Sequence, residues 1–229
     1  MNHRINEMTA CAAQANNQTR SVRVRCLGIA DYESSWQQMR RFTDARTSVT
    51  IDEIWLLQHP PVYTLGQAGR ENHLHDTGNI PVVRSDRGGQ VTYHGPGQLI
   101  AYLLLDLRRL DLGVSRLVRL IESALIDALG HWGIAASRRK GAPGVYVGDA
   151  KIAALGLRVR RRCTYHGLAL NVNPDLGAFA RIDPCGYPDL AVTSLQQMMD
   201  PTTDLPMDEV AGVVTSALTR RLGLERADG

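Results

Sequence analysis

The chain has 229 residues, 44% of them hydrophobic, and a formal net charge of +3. That length suits one α/β-type domain with a single substantial core. So mild a basic excess lacks the footprint of a dedicated nucleic-acid binder, although it suits an acidic protein partner.

In chain order, residues 1–20 are rich in Asn, Gln, Ala and Thr and read as a disordered N-terminal arm. They hold no apolar signal-peptide core, and no apolar run approaches the ~20 residues of a transmembrane helix. A cytoplasmic protein with no membrane role is expected, its domain running over 21–225. The four cysteines, Cys11, Cys26, Cys163 and Cys185, form no CxxC pair. Zinc-ribbon and thioredoxin readings are therefore poor, and reduced thiols are expected.

Val22–Leu27 alternates as a strand does. Asp31 is placed to cap a helix carrying Trp36, Met39 and Phe42 on one face. Ile54–Leu57 reads as a short buried strand stopped by His59-Pro-Pro61. Val62–Gly69 reads as a glycine-punctuated loop, and Pro81–Arg84 as another strand. Leu99–Asp106 is a buried strand. A helix begins near Ser115, where Leu117, Val118, Leu120, Ile121, Ala124, Leu125, Ala128 and Leu129 keep a 3.6-residue period, with Gly133 as its stop. Gly144–Val147 and Lys151–Val159 form a hairpin across Gly148-Asp149, with glycine where positive φ is needed. Tyr165–Val172 is a strand and 173–194 a loop. Pro206 opens a last helix, with Arg220 and Arg221 at its C-terminal end and Gly223 closing it. Strands interspersed with three or four helices predict one α+β domain with a mixed sheet.

Two residues invite chemistry. Cys185 lies in the turn Pro184-Cys-Gly186, which would fix its backbone and leave its sulfur open to approach. Lys151 opens a strand and could accept the thiol proton or stabilise the thiolate, the reactive form. Lone lysines are otherwise surface charges and lone cysteines small buried hydrophobes. Arg87-Gly-Gly-Gln-Val-Thr-Tyr-His-Gly-Pro-Gly-Gln98 permits close backbone approach to a ligand, yet it is neither a P-loop nor a dinucleotide fingerprint. Amides near Cys185 or at Gly88-Gly89 are candidate oxyanion donors. His94 and His166 leave open a Cys–His hydrolase or a zinc site with Cys185, without support from a local signature. The runs Arg158–Arg162 and Arg138-Arg-Lys140 read as solvated faces or as a docking patch for an acidic partner.

His59-Pro-Pro-Val-Tyr-Thr-Leu-Gly66, the Arg87–Gln98 segment, Lys151-Ile-Ala-Ala-Leu-Gly-Leu-Arg-Val159, His166-Gly-Leu-Ala-Leu-Asn-Val172 and Pro184-Cys-Gly186 occur in the order seen in the lipoyl(octanoyl) transferases. From about residue 22 to at least 200 the chain resembles that family. The resemblance implies a biotin/lipoate ligase-like single domain, with a mixed, mainly antiparallel sheet flanked by helices. It implies octanoyl transfer from octanoyl-acyl carrier protein to lipoyl-domain lysines of 2-oxoacid dehydrogenase E2 subunits and the glycine cleavage H protein. By motif, Cys185 becomes the acyl-thioester and Lys151 is its proton partner. Arg87, Gly88, Gly89, Gln90, Val91, Thr92, Tyr93 and His94 line the substrate site, with Ala154, Leu155, Gly156, Gly167, Leu168 and Ala169. A monomer without cofactor or metal is implied. The alternatives are an ATP-dependent lipoate or biotin ligase, which does not need Cys185, and a non-catalytic acyl-group or lipoyl-domain binding module, which would tolerate its loss.

Overall fold

The computed structural model describes residues 20–227, so residues 1–19 of the expected arm, with Cys11, lie outside it. The strands are β1 (Ser21–Ile29), β2 (Asp52–Gln58), β3 (Val62–Leu65), β4 (Val82–Arg84), β5 (Val91–His94), β6 (Gln98–Leu104), β7 (Ser137–Arg139), β8 (Ala142–Val147), β9 (Ala150–Arg160), β10 (Cys163–Asn171) and β11 (Glu225–Arg226). The helices are α1 (Tyr32–Ala45), α2 (Val114–His131), the single turn α3 (Leu195–Met198) and α4 (Met207–Leu222).

Period-two alternation puts opposite faces of neighbouring strands into different cores. Ile54 and Leu56 of β2, Leu99, Ala101 and Leu103 of β6, and Leu168 and Leu170 of β10 face α2 and α4. Trp55 and Leu57, Ile100, Tyr102 and Leu104, and Tyr165 and Ala169 face Met39 of α1. The central strands are thus covered on both sides, which is why they read as almost continuous apolar runs. The main sheet has the order β11-β1-β2-β6-β10-β9-β8-β7. The pairs β11–β1 and β1–β2 are parallel and the rest antiparallel. This is the expected α+β class. A second sheet, β4-β3-β5, packs on Phe179 and Ile182 as its own core.

One expectation is corrected here. Val62–Gly69 is not all loop, because Val62–Leu65 is the buried centre of the small sheet, pairing with β4 and β5. The Gly66 amide then bonds Gln90 O at 3.1 Å, tying this strand end to the glycine-rich segment.

The predicted helix ends hold. Asp31 accepts from Ser34 N at 2.8 Å. Gly223 takes φ 64° at the end of α4, and the Arg221 guanidinium meets Asp127 of α2 at 2.6 Å. On α2, burial of Leu117, Ile121, Leu125 and Leu129 contributes on the order of 2 kcal/mol each. Glu122 is the one charged side chain on that buried face.

Candidate active site

Lys151 stands at the start of β9, just beyond the two-residue turn at Gly148-Asp149. Its amide donates to Ala191 O at 2.8 Å and its carbonyl accepts from Thr193 N at 3.0 Å. The residue is only 4% exposed. Its stem is thereby fixed, and its Nζ donates to Cys185 Sγ at 3.0 Å and to Pro143 O at 3.2 Å. The Tyr146 ring centroid lies 5.2 Å from Nζ, on the same cation.

Cys185 is half-buried and sits in a tight turn, Pro184–Gly186, with φ 58°. Left-handed backbone at a non-glycine residue costs about 1–2 kcal/mol and persists only where its surroundings hold it. Here Gly186 N donates to Asp183 O at 2.8 Å. The Asp183 carboxylate accepts from His73 Nδ1 at 2.9 Å and His75 Nε2 at 2.8 Å. Those two bonds hold the Asp183 carboxyl below its usual range. A bridge between Leu74 and Ile182 completes the strap. Gln90 lies across Gly186, where any Cβ would meet its Cγ at 3.0 Å.

Burial pulls the Lys151 ammonium down, but the Cys185 thiolate and Tyr146 push it up further, so the net shift is upward. The lysine remains an ammonium beside the sulfur.

The pair lies on the wall of a largely apolar cavity of about 330 Å³. Every predicted site residue but one lines it: Arg87, Gly88, Gly89, Gln90, Val91, Thr92, His94, Lys151, Ala154, Leu155, Gly156, Gly167, Leu168, Ala169 and Cys185. The exception is Tyr93, a correction. Strand alternation turns its ring to the other side of β5, 5.5 Å from the rings of Tyr63 and Phe179. At the rim, Val114 and Tyr187 are 43% and 49% exposed.

Glycines bring the walls together. Gly88 N donates to Leu157 O at 3.0 Å, and a Cβ on Gly156 would stand 2.9 Å from Gly88 O. The Gly88 amide is therefore committed and is removed from the candidate oxyanion donors. Arg87 is buried, with Nε on Thr64 Oγ1 at 3.0 Å and Nη2 on Thr64 O at 2.6 Å and Gln90 O at 2.7 Å. It clamps its own loop and places a cation near Cys185.

Neither histidine bonds the cysteine. His94 Nδ1 meets Gln98 Oε1 at 2.7 Å, and Gln98 Nε2 donates to Asn171 Oδ1 at 2.9 Å. Burial pushes His94 well below its usual value and keeps it neutral. His166 Nε2 faces Asp86 at 2.9 Å. Burial lowers His166, and Asp86 only partly offsets this.

Sequence reasoning missed Tyr32, Ile100, Tyr102, Val114, Val118, Pro143 and Tyr187 in the cavity wall. No local pattern marks them, because sheet order, the starts of α1 and α2 and the turn after Cys185 bring them there. The arginine run expected as a docking patch is partly neutralised, with Arg160 on Asp44 at 2.8 Å. It ends β9, whose start carries Lys151, and at ~3.3 Å per residue the two ends lie roughly 30 Å apart.

Residues 31–219 match the sequence profile of the lipoyl protein ligase A/B catalytic domain. The chain belongs to this family. Within it, the chain groups with the octanoyltransferases. That of Xanthomonas campestris pv. campestris (strain 8004) is 58% identical over 203 residues, covering 89% of this chain and 86% of that protein. The Nitrosococcus oceani octanoyltransferase is 54% identical over 203 residues, covering 89% of each. Solved structures show the same fold at low identity. A lipoate-protein ligase A bound with ATP superposes with TM-score 0.75 at 16% identity, over 91% of this chain and 88% of that one. A biotin protein ligase from Aquifex aeolicus gives 0.54 at 14%, over 89% and 71%. This lipoyl protein ligase A/B family member is an acyltransferase. Among the described residues, no helix is long and apolar enough to cross a membrane.

Proposed function

We propose that this chain transfers an octanoyl group from octanoyl-acyl carrier protein to the lysine of a lipoyl domain, through a thioester on Cys185. The observation that carries the reading is the Lys151 Nζ to Cys185 Sγ contact of 3.0 Å on the wall of an apolar cavity. The Cys185 thiolate attacks the donor's acyl carbon, the new C–S bond forms, and the phosphopantetheine sulfur leaves as a thiol with the proton given up by the Lys151 ammonium, which becomes a neutral amine. The target lysine, as a free amine, then attacks the Cys185 thioester. An amide forms, the thiolate is regenerated, and Lys151 receives or relays the proton lost from nitrogen. The donor thioester is already activated, so acyl transfer itself calls for no adenylation. Val91, Leu155 and Leu168 supply apolar wall for the chain. At ~0.8 kcal/mol per buried methylene, an eight-carbon tail gains on the order of 5 kcal/mol before ordering costs. The acceptors are the lipoyl domains of 2-oxoacid dehydrogenase E2 subunits and the glycine cleavage H protein. The enzyme works as a cytoplasmic monomer, with residues 21–225 as its catalytic domain.

The test is transfer of octanoate from octanoyl-acyl carrier protein to a lipoyl domain in the absence of ATP. The parent chain is expected to transfer and Cys185→Ala to be inactive. Transfer that requires ATP and survives Cys185→Ala would overturn the reading in favour of an adenylating ligase.

A further inference from the structure

We infer that Glu122 is a positioning residue for Lys151, acting through the Pro143–Gly144 peptide group. The inference rests on the reading of Lys151 and Cys185 as the working pair. One planar peptide unit carries both contacts. Its carbonyl, Pro143 O, accepts from Lys151 Nζ at 3.2 Å. Its N–H, on Gly144, donates to Glu122 Oε1 at 3.0 Å. Because the peptide is rigid, fixing the N–H fixes the direction of the carbonyl. A carboxylate accepting from the N–H also polarises the unit and strengthens its oxygen as an acceptor.

Four further features point the same way. Glu122 is 5% exposed on a helix face that otherwise buries only apolar residues. A buried carboxylate is costly to keep, and well-packed apolar residues usually serve a core as well. Its second oxygen meets Arg138 Nε at 3.3 Å, which leaves Oε1 aimed at Gly144. The pairing of β8 with β9 shifts register between Val145 and Tyr146, next to this peptide. Gly144 itself takes φ 138°, and a Cβ there would stand 2.8 Å from Ala153 O and 3.0 Å from Lys151 Cε. The segment is shaped to press this peptide onto the lysine, and α2 supplies the group that orients it.

The experiment follows the alkylation rate of Cys185 by iodoacetamide across pH in the full chain, mapped by mass spectrometry, together with acyl-enzyme formation from octanoyl-acyl carrier protein. Glu122→Met keeps the side-chain length and removes the acceptor. Its alkylation at neutral pH is expected to slow about tenfold, with the pH profile displaced about one unit to the alkaline side. Glu122→Gln retains an acceptor for Gly144 and is expected to restore most of the parent's rate. In a Lys151→Met background, Glu122→Met is expected to add nothing. A Glu122→Met profile that overlays the parent's, or an equal loss in the Lys151→Met background, would overturn the inference. Failure of the parent to form an acyl-enzyme would instead strike the functional reading, and the alkylation series would still decide the role of Glu122.

Discussion

Lys151→Met removes the ammonium while keeping the length and apolar stem of the side chain. The charge it removes lies 3.0 Å from Cys185 Sγ. At an effective dielectric of ~20, opposite unit charges at that separation attract by about 5.5 kcal/mol, and desolvation of both groups offsets much of this. Without that charge the variant is left with the few per cent of thiolate of an ordinary cysteine at neutral pH, so acylation is expected to slow by roughly 10- to 30-fold. The assay is rapid-quench acylation of Cys185 by octanoyl-acyl carrier protein over a range of pH. The variant should be slow at neutral pH and gain about tenfold per unit until its thiol ionises, near ~8.5 for an unassisted cysteine. The parent should vary far less over the same range. The melting temperature should not fall, since a buried charge is exchanged for a thioether. A variant that tracks the parent at every pH would refute the proton role of Lys151.

Burial pushes the Asp86 carboxyl up, but bonds from His166, Tyr165 and Trp36 outweigh it and hold the group at about 2. A carboxylate lowered on folding stabilises the native state above its unfolded value near ~3.9, and that gain is lost as pH falls toward 2. Discounted for its partial exposure, it is worth about 2 kcal/mol. Asp86→Asn should flatten the acid limb of a thermal-melt series, and an unchanged limb would contradict the assignment. In Gly167→Ala the new Cβ would stand 2.0 Å from Ala101 O across the β10–β6 pair. The strands would have to part, at a cost above ~3 kcal/mol. A denaturant midpoint equal to the parent's would show that this approach is looser than described. Asp183→Ala removes both histidine contacts from the Cys185 turn. Acylation should slow at least tenfold with little change in donor binding, because a nucleophile displaced by about 1 Å loses up to ~100-fold. A rise in the donor's Michaelis constant alone would contradict a positioning role.

Much of this arrangement was legible from the chain. The Gly148-Asp149 turn fixed the β8–β9 hairpin and hence the place of Lys151. Pro184 and Gly186 marked the turn that presents Cys185. The glycine-rich segment announced close approach, and the contact of Gly88 with Leu157 is its physical content. What escaped has local causes. β3 is four residues long, buried throughout and set between proline and glycine, so no alternation betrays it. Tyr93 was grouped with its neighbours because a motif is read as a block, whereas a strand sends successive side chains to opposite faces. Glu122 looks like the polar edge of an amphipathic helix, and only the register of β8 against α2 shows its carboxylate meeting Gly144 N. Tyr102 reaches the cavity wall through sheet order and Tyr32 through the start of α1, neither of which a single segment encodes.

The most direct measurement is intact-protein mass spectrometry of the purified chain mixed with octanoyl-acyl carrier protein, without ATP and without an acceptor. An octanoyl increment that is removed by hydroxylamine, maps to Cys185 and disappears on adding a lipoyl domain is the expected result. No increment, with the lipoyl domain acylated only once ATP is present, would contradict the thioester route and leave Cys185 outside the chemistry.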